Sequence, residues 1–322
     1  MSIKDAWKIT KHSFADFISL NILQLSAALA FFTIFSLPGL LIIIIWFSDL
    51  FFGREIVEGS IYHQIEGFVG SSAALDIQEA IRNATMSSDS NLATITGLVA
   101  LIIGATSVFS EIQDSINHIW RLKAKPRKGF AILKLLFNRL LSFSMIITLG
   151  FILLVSLIIN GGMDFFLNSL TERYPQLTVF IVYILNIVFT FLITAVIFAA
   201  IFKVLPDARL KWKHVRIGAC VTAFLFMGGR FIISYYLGHS RMTSAYGTAG
   251  SIIVILLWVY YSAMILYFGA AFTHAYAIHK GSRIYPNNYA VWVQQIEVES
   301  EKSIQQQPEE KTVIEVPEKK EN

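Results

Sequence analysis

Polar side chains that could take part in chemistry are concentrated just beyond one apolar stretch. Three of them follow one another at helical spacing, at positions i, i+3 and i+7: Glu111, Asp114 and His118. That spacing places them on one face of a helix, with Gln113 and Asn117 beside them. A metal centre here would need further ligands from elsewhere in the chain. The pattern therefore favours a polar network in the inner mouth of a helix bundle over a metal site.

One charged residue, Arg230, lies well inside an apolar stretch of membrane-spanning length. A charge at that depth is costly unless it is paired or faces water, which favours a functional role. Snorkelling of the long side chain to the headgroups explains it equally well, because Arg230 lies nearer the predicted outer end. The predicted polar path consists of Glu111, Asp114 and Asn117 at the inner mouth and of Arg230 and Tyr246 at the outer mouth.

The motifs of soluble enzymes are missing from the sequence. It has no phosphate-binding GxxxxGK[ST], no GxSxG and no HExxH, and its seven histidines form no HxH or HxxxH pair. The single cysteine, Cys220, excludes an intramolecular disulfide and a thiolate metal cluster. We therefore predict a protein that is not an enzyme and that uses no cofactor or metal.

The elements that must position these residues are membrane helices. Hydrophobic residues make up 55% of the 322 residues and charged residues only 15%, whereas soluble proteins have about a quarter of their residues charged. Six apolar stretches are each long enough to cross a bilayer as a helix. They are residues 26–47, 92–109, 140–159, 177–202, 217–237 and 251–272. The sequence predicts an all-α integral membrane protein, a bundle of about six transmembrane helices.

Lysine and arginine residues are distributed unevenly between the predicted connections. Seven lie between the second and third stretches and five between the fourth and fifth, whereas the segment 49–91 is mainly acidic. Because basic connections stay on the cytoplasmic side, we expect both termini to be cytoplasmic and segment 49–91 to face outward. A basic run beside a membrane span is more typical of topology than of nucleic-acid binding, so no nucleic-acid partner is predicted.

Three further segments complete the predicted organisation. Residues 1–21 form an interfacial helix, with lysines on one face and apolar residues on another. The membrane domain covers residues 22–280 and includes the outer amphipathic helical segment 49–91. Residues 281–322 form a cytoplasmic and largely disordered tail, rich in Gln, Glu, Lys and Pro after Trp292. The apolar face of the interfacial helix consists of Ile3, Trp7, Phe14, Phe17 and Ile18.

Four runs in this order resemble the YihY/BrkB family of bacterial inner-membrane proteins, formerly labelled ribonuclease BN. They are LAFFTIFSLPGLL, SVFSEIQDSINHIW, FKVLPDARLKWKHVRIGA and SAYGTAGSIIVILLWVYYSAMILYFGAAFTHAYA, and the resemblance covers residues 10–280. It implies a multi-pass protein of the bacterial inner membrane for which transport or export, including that of lipids, has been suggested. Many members have an acidic residue after GA near the end of the last span. This chain has Ala271 there, so ion coupling through that position is not expected.

Two functions are compatible with these features. The leading hypothesis is a transporter or exporter, in particular a translocase of lipids or other amphiphiles, whose partners are membrane lipids and a transported substrate still to be identified. The alternative is a non-transporting membrane scaffold or envelope-integrity protein that uses its outer segment and tail as contact surfaces. Ribonuclease activity is not expected, because phosphodiester hydrolysis needs clustered carboxylates or histidines that hold metals, and the sequence shows no such cluster.

Overall fold

The computed structural model describes residues 3–51, 104, 107–124, 175–239, 249–282, 284–287 and 290–293. These residues are mostly helical, which confirms the prediction of an all-α membrane protein. Several predicted features lie outside them: the span 140–159, nearly all of the span 92–109, Tyr246, and almost all of the outer segment and of the tail.

Long helices account for most of the described chain. They are α1 (Ile3–Ser19), α2 (Ile22–Phe51), α3 (residues 107–119), α4 (Pro175–Val204), α5 (Trp212–His239) and α6 (Ala249–His279). α4 begins at a proline, whose missing N–H costs nothing in the first turn. The predicted spans 26–47, 177–202, 217–237 and 251–272 all lie within longer helices. A 30-residue helix is about 45 Å long and therefore extends beyond a hydrocarbon core of about 30 Å.

Three of the described helices are long and apolar enough to cross a membrane, through Ile187–Val204, Trp212–Ile233 and Ile252–His279. A fourth candidate is the pair formed by α1 and α2, which bend by 65° relative to each other. The bend follows from Asn21, whose φ of 51° interrupts the helix in a conformation that asparagine tolerates. The described part of the chain is thus consistent with the prediction of about six spans in the whole.

Helix α1 presents different chemistry on different faces. Ile9, Ser13 and Asp16 are buried on the face that packs against α6. Another face exposes apolar side chains, with Trp7 70% and Ile18 73% exposed. An apolar surface of this kind suits the acyl boundary of a bilayer, with the lysines directed towards the headgroups. The membrane-surface location of α1 stays a prediction.

α5 and α6 cross at two reciprocal glycine–threonine contacts. Gly218 of α5 faces Thr273 of α6, and Gly269 of α6 faces Thr222 of α5, so a Cβ at either glycine would overlap the threonine side chain. Each threonine hydroxyl donates to a carbonyl of its own helix at 2.7 Å. Small residues allow membrane helices to approach closely, and these contacts set the spacing between α5 and α6.

Two short antiparallel ribbons join segments far apart in sequence. Strand β1 (Leu122–Ala124) pairs with β4 (Ala290–Trp292), and β2 (Ala208–Arg209) pairs with β3 (Tyr285–Pro286). Both β3 and β4 lie after the predicted boundary at residue 280, and that boundary stays a prediction. Backbone pairing with earlier segments holds this part in place, together with burial of Ile284 in the core.

Candidate functional site

The most extensive polar network in the described residues is centred on Asp207, in the connection between α4 and β2. Asp207 is buried, and its carboxylate accepts hydrogen bonds from Gln113 Nε2 and Asn117 Nδ2, each at 3.1 Å. The Asp207 backbone N–H in turn donates to Asn117 Oδ1 at 2.9 Å. Asn117 thus uses both ends of its amide on one residue, which fixes α3 against the α4–β2 connection.

A third segment closes the same network from the C-terminal side. The backbone N–H of Asn287, which follows β3, donates to the Asp207 carbonyl oxygen at 2.9 Å. We refer to Gln113, Asn117, Asp207 and Asn287 as the junction. Amide donors on both carboxylate oxygens suit the ionised form of Asp207, and such charge-assisted bonds are the stronger ones.

The end of α3 is anchored by the tryptophan that follows it. Trp120 is almost fully buried, and its indole Nε1 donates to the Ala270 carbonyl of α6 at 3.0 Å. Arg121, with φ of 57°, then turns the chain from the helix into β1. α3 is therefore tied to α6 as well as to the α4–β2 connection.

A smaller polar cluster lies where α1 meets Arg121. The buried carboxylate of Asp16 lies 3.8 Å from His12 Nε2 and 4.0 Å from a guanidinium nitrogen of Arg121. The Nδ1 atom of the nearby buried His274 has no hydrogen-bond partner. This cluster links the N-terminal helix to the turn after α3.

The three predicted inner residues of the path have different environments. Asn117 is buried in the junction, and Glu111 is half-buried and accepts a hydrogen bond from Ser115 Oγ at 3.3 Å. Asp114 is exposed, together with His118 on the same face. The structure therefore brings Asn117 to Asp207 and leaves Asp114 at the helix surface.

The predicted outer residue Arg230 is not brought to the junction. Arg230 is half-buried on α5, 18 residues after the first residue of the helix, Trp212. At 1.5 Å per residue this is about 27 Å along the helix axis, close to the thickness of a hydrocarbon core. Arg230 and the junction thus lie towards opposite ends of α5. Tyr246 lies outside the described residues.

Asp207 is the functional-site residue that the sequence analysis does not single out. It is the only acidic residue in the basic connection from Lys203 to Arg216. The positive charge of that connection indicates topology, and a single acid does not change that interpretation. An isolated carboxylate following Pro206 in a short basic connection is the signal that could have found it.

Metal ligation has no support in the part of the chain that the structure describes. No group of three or more His, Cys, Asp or Glu side chains there is arranged to hold a metal ion. The polar side chains of the junction instead satisfy one another. Their arrangement can fix helices, accept or release protons at carboxylates, and bind polar groups if the junction opens.

Comparisons with known proteins agree with the resemblance seen in the sequence. The family model described as virulence factor BrkB matches residues 13–290. A UPF0761 membrane protein of Aeromonas salmonicida is 27% identical over 223 residues, covering 68% of this chain and 70% of the relative. Another, of Psychromonas ingrahamii, is 26% identical over 264 residues, covering 79% and 82%. No solved structure matches the chain. The chain therefore belongs to the YihY/BrkB family of membrane proteins.

Proposed function

We propose that this protein moves a lipid or another amphiphile across the bacterial inner membrane. The observation that carries the proposal is the position of Arg230, a half-buried charge within the apolar span Trp212–Ile233. A guanidinium at that depth is costly unless it pairs with a polar or anionic group. An anionic headgroup passing along α5 would pair with this guanidinium in addition to the interaction that Arg230 makes in this structure.

The surroundings of Arg230 suit an amphiphile. The two following residues, Phe231 and Ile232, are each 69% exposed and present apolar surface to the surroundings. Gly228, two positions before Arg230, borders open space, since a Cβ added there would meet nothing within 4 Å. Arg230 takes part in an interaction in this structure, and a guanidinium with its five N–H donors is a group that can also pair with an anionic headgroup. Charged and apolar surfaces therefore lie side by side, as an amphiphile requires.

The junction supports an interpretation in which the inner mouth of the proposed path, at Asn117, is closed. Both ends of the Asn117 amide bind Asp207, and Asn117 is buried, so in this conformation the amide is held within the junction. A path past Asn117 requires the contact between α3 and Asp207 to separate. Since the sequence has no ATP-binding motif, the proposed movement is passive or driven by a gradient.

The proposal is tested by leaflet exchange of labelled phospholipid and lysophospholipid in proteoliposomes that contain the purified full chain. We expect Arg230→Gln to slow the exchange at least about tenfold, the effect of losing about 1.4 kcal/mol of headgroup pairing. Arg230→Lys should keep part of the rate because it keeps the charge. The matched control is Arg216→Gln, the same change at an exposed position near the start of α5, which should exchange like wild type.

Two outcomes would contradict the proposal. Exchange no faster than in empty liposomes would remove lipids as substrates and favour the alternative, a non-transporting scaffold. Exchange that is fast in wild type and equally fast in Arg230→Gln would show that the path does not use Arg230.

A further inference from the structure

A buried hydroxyl group without a hydrogen-bond partner lies in the core of the bundle. Tyr267 of α6 is fully buried, and its hydroxyl makes no hydrogen bond. Burying an unpaired hydroxyl is unfavourable, so most such groups in proteins are paired. This hydroxyl is therefore available as a hydrogen-bond partner for a neighbouring polar group.

The neighbours of this hydroxyl are the polar residues of α3. Ser115 is buried and donates to Glu111 Oε1 at 3.3 Å, and the Tyr267 hydroxyl lies beside both residues without reaching hydrogen-bond geometry. A line of three oxygen-bearing side chains thus leads from the half-buried carboxyl of Glu111 to a fully buried hydroxyl on α6. Glu111 itself lies just beyond the predicted span 92–109.

The electrostatic environment of Glu111 favours a carboxyl that changes its protonation state. Burial raises the pKa of Glu111 above its ordinary range, Ser115 lowers it through the hydrogen bond, and the negative charge of Asp114 raises it further. Among the described residues, the ionisable groups that act on Glu111 are Asp114 on its own helix and Tyr267 on α6.

We propose that Glu111 is a proton-binding site and that proton binding there drives the lipid movement proposed above. The coupling part rests on that proposed function, whereas the proton site does not. On binding, an O–H bond of a hydronium ion breaks and leaves water, while the proton forms an O–H bond with the Glu111 carboxylate, whose charge changes from −1 to 0. The resulting carboxyl can donate a hydrogen bond. The neighbouring hydroxyl oxygens of Ser115 and Tyr267 are the groups that could accept it.

The site is tested by infrared titration of the purified full chain, following the C=O band of protonated carboxyls. Wild type should show a carboxyl that stays protonated above the pH at which exposed carboxyls ionise, and Glu111→Gln should weaken that band. Ser115→Ala should move the midpoint up by about one pH unit, through loss of a hydrogen bond to the ionised form. Asp114→Asn should move it down by about a few tenths of a pH unit, since that charge is exposed.

The midpoint should rise in Ser115→Ala and fall in Asp114→Asn. If Glu111 had only a structural role, the two variants would not shift a titration midpoint in opposite directions. Burial also raises the pKa of Asp16, so part of the band should remain in Glu111→Gln. A band unchanged in Glu111→Gln, or midpoints that move together, would overturn the site.

Coupling is tested in proteoliposomes with and without an imposed pH gradient. We expect the gradient to accelerate lipid exchange in wild type, and the midpoint of this acceleration to shift with Ser115→Ala and Asp114→Asn as the infrared midpoint does. Exchange unaffected by the gradient would overturn the coupling and leave lipid movement intact. Absence of any exchange would overturn the proposed function, and the infrared titration would still decide whether Glu111 binds a proton.

Discussion

Asp207 and Asn117 have side chains of similar shape, and what distinguishes them in this pair is which atoms donate and which accept hydrogen bonds. The carboxylate accepts from the Asn117 amide, while the same amide accepts from the Asp207 backbone. The Asp207 carboxylate needs the Asn117 N–H donor opposite it, and the Asn117 oxygen needs the Asp207 backbone N–H. Both side chains are buried, where an unpaired polar group is costly. Exchanging the two residue types is therefore an informative change.

Asp207→Asn places an NH2 group opposite another NH2 group, or turns it towards Gln113, and leaves a buried donor unpaired. We expect a loss of about 2 kcal/mol of stability, within the range for an unsatisfied buried polar group. Asn117→Asp should be at least as harmful, since it opposes two carboxylates. Heating the detergent-solubilised protein while following tryptophan fluorescence measures both effects.

The double variant Asp207→Asn with Asn117→Asp should recover most of the loss. The carboxylate introduced at position 117 would accept from both the backbone and the side-chain amide of position 207. The amide oxygen introduced at position 207 would still accept from Gln113. A double variant as unstable as the sum of the two singles would show that the pairing contributes nothing specific.

The sequence predicts part of this site and not the rest. Helical spacing places Asn117 in a polar network, because the residues of one helix face can be read from their order. Its partner lies 90 residues later in the chain. Which side chain on another segment meets Asn117 depends on helix rotation and connection geometry, which spacing within one helix does not contain.

At the scale of elements, the α5–α6 crossing offers a comparison between two glycines of one helix. Gly218→Ala would place a methyl group against Thr273, whereas Gly228→Ala would place one in open space. We expect Gly218→Ala to cost about 1–3 kcal/mol, as other overpacking changes do. Gly228→Ala should be neutral or stabilising by up to about 1 kcal/mol, because alanine favours the helix. Thermal stability in detergent checks both, and equal effects would show that the crossing is not tightly packed.

Apolar length is sufficient to predict the membrane helices but not the ribbons. A helix satisfies its own backbone, so a long run such as Ile187–Val204 defines itself. The strands are two or three residues long and pair with segments far away in sequence, as Ala208 does with Pro286. No period or propensity can appear in so few residues, so these elements become visible only in three dimensions.

At the scale of the whole molecule, the described chain after residue 280 takes part in the fold through β3 and β4, which pair with β2 and β1. A chain ending at Val293 should therefore keep the thermal stability of the full chain. A chain ending at Lys280 loses β3, β4 and the Asn287 bond to Asp207. At about 1 kcal/mol for each lost hydrogen bond, we expect a clear destabilisation of at least about 2 kcal/mol. Equal melting of the two shortened proteins would contradict this account of the C-terminal strands.

The pairing of β1 with β4 also has a consequence for the order of synthesis. Leu122 leaves the ribosome long before its partner Trp292, and Asn117 leaves it 90 residues before Asp207. At translation rates of about 5–20 residues per second, β1 waits roughly ten to thirty seconds for its partner strand. During that interval the β1–β4 pairing has not formed, so the helices made earlier lack this contact. Residues made late in synthesis thus complete the pairing of a strand made much earlier.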